Sequence, residues 1–141
     1  MRHERIVILI KKLALVSDKQ ALDILSPIDL TPSQYKIVKY LIERESKPVR
    51  QVDIERYYSM TNPAVTGIVK NMEAKGWITR EQNPEDSRSK LIRLTPMALS
   101  RKEELYSYGD RIENALIRDL TEEEQDTLVR LLDKLIRQEE K

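Results

Sequence analysis

The chain contains no cysteine. That excludes disulfides, thiolate metal sites, cysteine nucleophiles and thiol-based redox sensing within it. Histidine is almost as scarce, with His3 the single example. A metal centre would have to be assembled from carboxylates, so the reading is that the chain holds no metal and no cofactor. Catalysis would be left to carboxylates, Lys or Tyr. The 24 acidic residues read as solvated helix faces and caps, with no nucleophile–base pair among them, so an enzyme is not expected. Phenylalanine is absent and glycine occurs three times. Tyrosine is therefore the main aromatic core filler, and punctuation is sparse. The longest unbroken apolar run, Ile6 to Ile10, is five residues, too short to cross a bilayer. Lys11 and Lys12 cut it off and no small-residue cleavage site follows, so a signal peptide fails too. The expectation is a cytoplasmic protein with no membrane partner.

What is present is charge and helical periodicity. Charged residues make up 35% of the 141 residues and aromatics 5%, which suits one helical domain with wide solvated faces. The net charge of +1 is unevenly spread: residues 1–30 carry +1, residues 31–96 carry +4 and residues 97–141 carry −4. A basic middle is compatible with a polyanion partner, and equally with uneven surface charge alone.

Residues 5 to about 25 read as a helix, with Ile6, Leu9, Ile10, Leu13 and Val16 at helical spacing. Val7, Ile8 and Leu15 widen the stripe, which calls for two packing partners. Thr31-Pro32-Ser33-Gln34 opens a second helix: Thr31 caps, Pro32 suits the first turn and Gln34 completes a capping box. Its core positions are Tyr35, Val38, Leu41 and Ile42. A short helix follows from about Gln51 to Tyr58, with Val52, Ile54 and Tyr58 as candidate core. After a tight turn at Ser59-Met60, Thr61 caps a further helix whose buried stripe is Val65, Ile68, Val69 and Met72, stopped by Gly76. Trp77–Gln82 and Lys90–Leu94 read as two short strands, and the seven residues between them predict a projecting loop. Thr95-Pro96 opens one helix running through Leu105, Tyr108, Ile112 and Leu116. Thr121 and Glu124 box the last helix, with Leu128, Leu131, Leu132 and Leu135 on one face.

The fold class predicted is mainly α with a small β-hairpin wing, that is, a winged helix-turn-helix head plus a helical region. The helix capped by Thr61 uses one stripe for the core and leaves Asn62, Pro63, Ala64, Thr66, Gly67 and Lys70 on the opposite face. Asn and Thr can hydrogen-bond base edges, small residues permit close approach, and Lys70 suits a phosphate or guanine in the major groove. Exposed polar residues on any helix would have similar composition; the order of elements is what points to double-stranded DNA. In the hairpin, Asp86, Ser87, Arg88, Ser89 and Lys90 place two cations on the projection. Arg88 suits a narrow minor groove, and Asp86 can orient it by a bidentate pair. Taken alone, Asp-x-Arg reads first as an ordinary solvated turn with a surface ion pair worth roughly 0–1 kcal/mol.

These residues resemble the MarR family of regulators. The resemblance rests on Leu30-Thr31-Pro32-Ser33-Gln34-Tyr35, on Asn62-Pro63-Ala64-Val65-Thr66-Gly67-Ile68-Val69, on Met72-Glu73-Ala74-Lys75-Gly76-Trp77-Ile78, and above all on Pro84-Glu85-Asp86-Ser87-Arg88-Ser89-Lys90-Leu91-Ile92-Arg93-Leu94-Thr95. It implies a transcriptional regulator, most often a repressor, that binds a near-palindromic operator as a homodimer. Residues 1–30 and 97–141 would dimerise, and residues 31–96 would form the DNA-binding lobe. It also places Thr61 to Lys70 on the recognition helix, Arg88 in the minor groove and Asp86 as its holder. Two positions depart from the family pattern: Ser59 stands where a Gly is usual, and Gly67 where many members carry an Arg facing DNA. A left-handed Ser59 would store roughly 1–2 kcal/mol.

The rival reading is a winged-helix protein–protein interaction module without DNA readout. It would need an apolar recognition face and would have no use for Arg88 and Lys90 on the wing. Control, where it exists, is expected from a small aromatic effector between head and dimer helices near Tyr35 and Tyr40, since cysteine is absent and metal ligands are scarce. The tyrosines at positions 35, 40, 57, 58, 106 and 108 also fit a simpler role as core filler.

Overall fold

The computed structural model describes residues 2–137, apart from the side chains of residues 2–4, so His3 and the metal question attached to it lie outside the described side chains. Ten elements follow one another. Helix α1 spans Arg2–Leu25 and passes through a 3-10 turn at Ser26–Ile28. Helices α2 (Pro32–Glu43), α3 (Gln51–Tyr58) and α4 (Asn62–Ala74) come next. Strands β1 (Ile78–Asn83) and β2 (Asp86–Leu94) form an antiparallel hairpin, and α5 (Pro96–Ser100), α6 (Lys102–Ile117) and α7 (Glu122–Ile136) complete the chain.

Capping chemistry sets most of these boundaries. Thr31 Oγ1 accepts from the Gln34 amide at 3.1 Å while Gln34 Oε1 accepts from the Thr31 amide at 3.1 Å, a reciprocal box of a kind worth about 1 kcal/mol. Gln34 is buried, and its polar atoms are all used: Nε2 donates to Asn71 Oδ1 of α4 at 2.7 Å, and Lys75 Nζ donates to Oε1 at 3.2 Å. The cap of α2 is thereby also its tie to α4. Thr121 and Glu124 repeat the box at α7, and Thr61 and Thr95 cap α4 and α5 through their side chains.

The core lies where α2 meets α1, α4, α6 and β2. Leu25, Ile37, Val38, Ile54, Val65, Val69, Met72, Ile78, Ile92 and Leu105 are fully buried there. Fully burying such side chains contributes roughly 1.5–3 kcal/mol each. Val52 and Tyr58, expected in the core, are only half-buried. Tyr58 instead joins Tyr40 and Tyr57 in an edge-packed cluster, and the Arg44 guanidinium lies 3.6 Å from the Tyr40 ring centroid.

Two boundaries differ from the sequence-based expectation. The hairpin has no seven-residue loop. Asn83 pairs with Asp86 across a two-residue turn at Pro84-Glu85, and Gln82 already pairs with Lys90, so Ser87, Arg88 and Ser89 are extra residues on β2 in a bulge. The bulge is filled from within: Asn83 Nδ2 donates to Ser89 Oγ at 3.0 Å and Gln82 Nε2 to the Ser87 carbonyl at 3.3 Å. Trp77 precedes the strand, buried at the turn after Gly76. Second, the helix opened by Thr95 breaks at Arg101. The Arg101 guanidinium is held by Glu104 at 2.9 and 2.7 Å and lies 5.1 Å from the Trp77 ring centroid, which fixes a corner that periodicity alone does not reveal.

The wing is rooted in the head by a bridge between Arg50 and Leu91 and by the Ile92 amide donating to the Val49 carbonyl at 2.8 Å. By contrast α1 and α7 leave apolar surface uncovered in the single chain. Ile6, Val7, Ile8, Leu9 and Ile10 are exposed, as are Val129, Leu131, Leu135 and Ile136. Among the described residues no helix is long and apolar enough to cross a membrane, and no group of three or more His, Asp or Glu is placed to hold a metal ion.

Candidate nucleic-acid interface

The turn between α3 and α4 determines how α4 is presented. Ser59 is left-handed, with φ 53° and ψ 47°, so the strain anticipated from its departure from Gly is present. The Met60 amide closes the turn on the Glu55 carbonyl at 2.9 Å. Thr61 then caps α4, which buries Val65, Val69 and Met72 and half-buries Ile68.

Away from that stripe, Asn62, Pro63, Ala64, Gly67 and Lys70 are exposed and Thr66 is half-buried. The face is small and polar, with nothing larger than Pro63 and Ala64 among its apolar groups. An interaction module's apolar recognition face is therefore missing. Gly67 has open space where a Cβ would project. Lys70 makes no ion pair within 4.0 Å among the described residues, whereas Arg80 is held by Glu73 at 3.0 Å and Arg93 by Glu81 at 3.1 Å.

On the wing, 92% of the Arg88 side chain is exposed. Asp86 holds it differently from the expected bidentate pair. Asp86 Oδ1 accepts the Arg88 backbone amide at 3.0 Å and only a single 3.4 Å contact from Nε. Both contacts fall on the same carboxylate oxygen, so the pair is monodentate. Asp86 therefore shapes the bulge more than it grips the side chain. The Ser87 carbonyl and the Ser89 hydroxyl are tied into the bulge, and the Ser87, Arg88 and Lys90 side chains are exposed.

Helix α4 and the wing enclose one cleft of about 340 Å³, lined among others by Asn62, Thr66, Arg80, Arg88, Ser89 and Lys90. Of the expected residues, Asn62 and Thr66 of α4 and Arg88, Ser89 and Lys90 of the wing share this cleft, whereas Thr61, Pro63, Ala64, Gly67, Lys70, Asp86 and Ser87 do not line it. The cleft also contains Gln51 and Glu55 of α3, which the sequence reading missed. Glu55 Oε2 accepts from Asn62 Nδ2 at 2.9 Å and from Gln51 Nε2 at 3.1 Å, and Gln51 Nε2 donates as well to Thr66 Oγ1 at 2.9 Å. The i, i+4 spacing of Gln51 and Glu55 was visible as a helical pair, but nothing in the sequence marked its face as the one meeting α4.

A second cavity of about 220 Å³ lies between α1, α2 and α6, lined by Ser17, Tyr35, Lys36, Lys39, Gly109 and Ile112 among others. Tyr35 belongs to it as expected, and Tyr40 does not, being packed against Tyr57 and Tyr58 elsewhere. The Tyr35 hydroxyl donates to the Leu105 carbonyl at 2.6 Å. Burial, and next the nearby Asp110 carboxylate, push its phenol up to about 12, so it remains a donor at neutral pH.

Known proteins share this arrangement. The MarR family model matches residues 30–90. The chain is 32% identical over 113 residues to the multiple antibiotic resistance protein MarR of Salmonella typhimurium, spanning 79% of this chain and 77% of that protein. A crystal structure of mutant MarR from E. coli complexed with operator DNA superposes with a TM-score of 0.82 at 28% identity, covering 93% of each chain. The S. aureus MepR–DNA complex gives 0.84 at 27% identity, covering 94% of this chain and 96% of that one. With its mainly helical winged helix-turn-helix fold, this chain belongs to the MarR family of transcriptional regulators.

Proposed function

We propose that two copies of this chain bind one near-palindromic duplex and repress transcription from it. The observation that carries this reading is the shared cleft: Asn62 and Thr66 of α4 and the two exposed wing cations, Arg88 and Lys90, line the same surface. A helix at that position suits a major groove, and a projecting Arg suits the adjacent minor groove. Site residues on this reading are Thr61, Asn62, Pro63, Ala64, Thr66, Gly67 and Lys70 on the recognition helix, and Asp86 to Lys90 on the wing. MarR and MepR, which resemble this chain along almost its whole length, have been seen with DNA.

Dimerisation through residues 1–30 and 97–141 accounts for the apolar surface that α1 and α7 leave open, which is more than a soluble monomer ordinarily tolerates. The head, residues 31–96, then acts in the cytoplasm, where its DNA is. The cavity beside Tyr35 is the place for a small planar aryl carboxylate: Ile112 with the tyrosine ring supplies an apolar wall, and Lys36 and Lys39 supply cations that the ligand would share with Asp18 and Glu113. A ligand preferring head spacings that miss successive grooves must weaken DNA binding, and DNA must weaken the ligand equally. A thermal-shift screen of aryl carboxylates, with operator release as second readout, tests this; no ligand shifting stability would remove it.

Arg88→Ala tests the DNA reading. Operator affinity should fall by about 1–3 kcal/mol, the worth of a charge-assisted groove contact, while thermal stability holds because the side chain touches so little. Asp86→Ala should weaken binding less. Unchanged affinity of Arg88→Ala across a salt titration would leave the wing as mere surface.

A further inference from the structure

We propose that Glu55 sets the hydrogen-bond polarity of the recognition helix, so that Asn62 reads a base carrying an exocyclic amino group in the major groove, adenine before cytosine. The inference rests on the DNA-binding reading above and adds what the helix recognises. A carboxylate is an acceptor only. Asn62 and Gln51 both face Glu55 Oε2, at 2.9 and 3.1 Å, so both must turn their NH2 groups toward it. Their carbonyl oxygens then point away from it. Gln51 spends its second N–H on Thr66 Oγ1 at 2.9 Å, so that hydroxyl accepts from within the protein and keeps its proton to donate elsewhere.

Asn62 stands in the first turn of α4, exposed, where a recognition helix reaches base edges. With one N–H committed to Glu55, it retains one N–H and its Oδ1. That donor–acceptor pair matches adenine N7 and N6 together. Cytosine offers N4 to Oδ1 alone, and guanine and thymine present no amino group in the major groove. Without the carboxylate the amide could turn either way and the distinction would fade. Glu55 is thus a positioning residue. Its charge is a cost on a surface that meets phosphates, which gives the proposal a second signature.

The experiment is selection from a randomised duplex library by the full chain, by Asn62→Ala and by Glu55→Gln, with thermal melting of each. The position that Asn62→Ala flattens should prefer adenine, with guanine and thymine disfavoured about fivefold or more. Glu55→Gln should bring that one position to within about twofold among bases while the others keep their preferences. Its overall binding should be equal or tighter, because a negative charge has left the DNA face. The proposal is overturned if Asn62→Ala flattens no position, if the position it flattens prefers guanine or thymine, or if Glu55→Gln keeps the adenine preference. It is overturned too if Glu55→Gln only scales every sequence alike. Should Glu55→Gln melt early, its selection is run well below its melting midpoint and read by the same criteria. Failure of the wild-type chain to enrich any duplex would sink the DNA-binding reading as well, whereas enrichment with the wrong base sinks only this inference.

Discussion

Ser59 is the residue where local cost and presentation of the helix meet. Its left-handed backbone, φ 53°, aims α4 outward, and a side chain there is disfavoured by roughly 1–2 kcal/mol. No hydrogen bond from its hydroxyl offsets that among the described residues. Ser59→Gly should raise the unfolding temperature by about 2–4 °C, corresponding to about 1 kcal/mol in a domain of this size. Thermal unfolding by circular dichroism checks it; an unchanged or lower midpoint would mean that the turn draws stability from the serine. This strain was legible in the sequence because the position departs from the family's glycine. The left-handed Asp29 was not, since the 3-10 turn before it leaves no comparable mark. Glu55 was also illegible as a site residue. An acid on a short helix reads as solvated surface until the fold brings Asn62, seven residues later, against it.

At the scale of elements, caps and stripes were readable and tertiary corners were not. The boxes at Thr31 and Thr121 and the buried stripe of α4 stand where pattern placed them, because each is encoded within about one or two helical turns. The wing's register depends on a bulge, and bulges follow from how a strand must bend over its neighbours. The break at Arg101 depends on Trp77, 24 positions away in the chain. Tight approach of α2 and α6 was equally hidden. A Cβ on Gly109 would lie 2.6 Å from the Tyr35 hydroxyl oxygen, which is itself bonded to the Leu105 carbonyl. Gly109→Ala should therefore destabilise by about 1–3 kcal/mol through displaced packing and a lost buried hydrogen bond, despite the better helix propensity of alanine. Gly67→Ala, with open space around the new methyl, should stabilise by up to about 1 kcal/mol. Denaturant titrations of both variants check the opposite signs; stabilisation by Gly109→Ala would mean that the Tyr35 contact relaxes without cost.

For the whole molecule, the acidic C-terminal region, the basic middle and the apolar faces of α1 and α7 fit the proposed scheme, in which a helical base would pair with a second copy and carry two cationic heads. A two-fold dimer presents its heads to half-sites about one helical turn apart, roughly 34–36 Å. The most direct test is nuclease footprinting on genomic fragments selected by the full chain, alongside the chain truncated after Leu120, with sedimentation giving the mass of each. The account predicts a dimer that protects an inverted repeat with centres about ten base pairs apart, and a truncated monomer that loses the protection. A monomeric full chain, a protected site without two-fold symmetry, or a truncated monomer that binds the full site at the original affinity would contradict it.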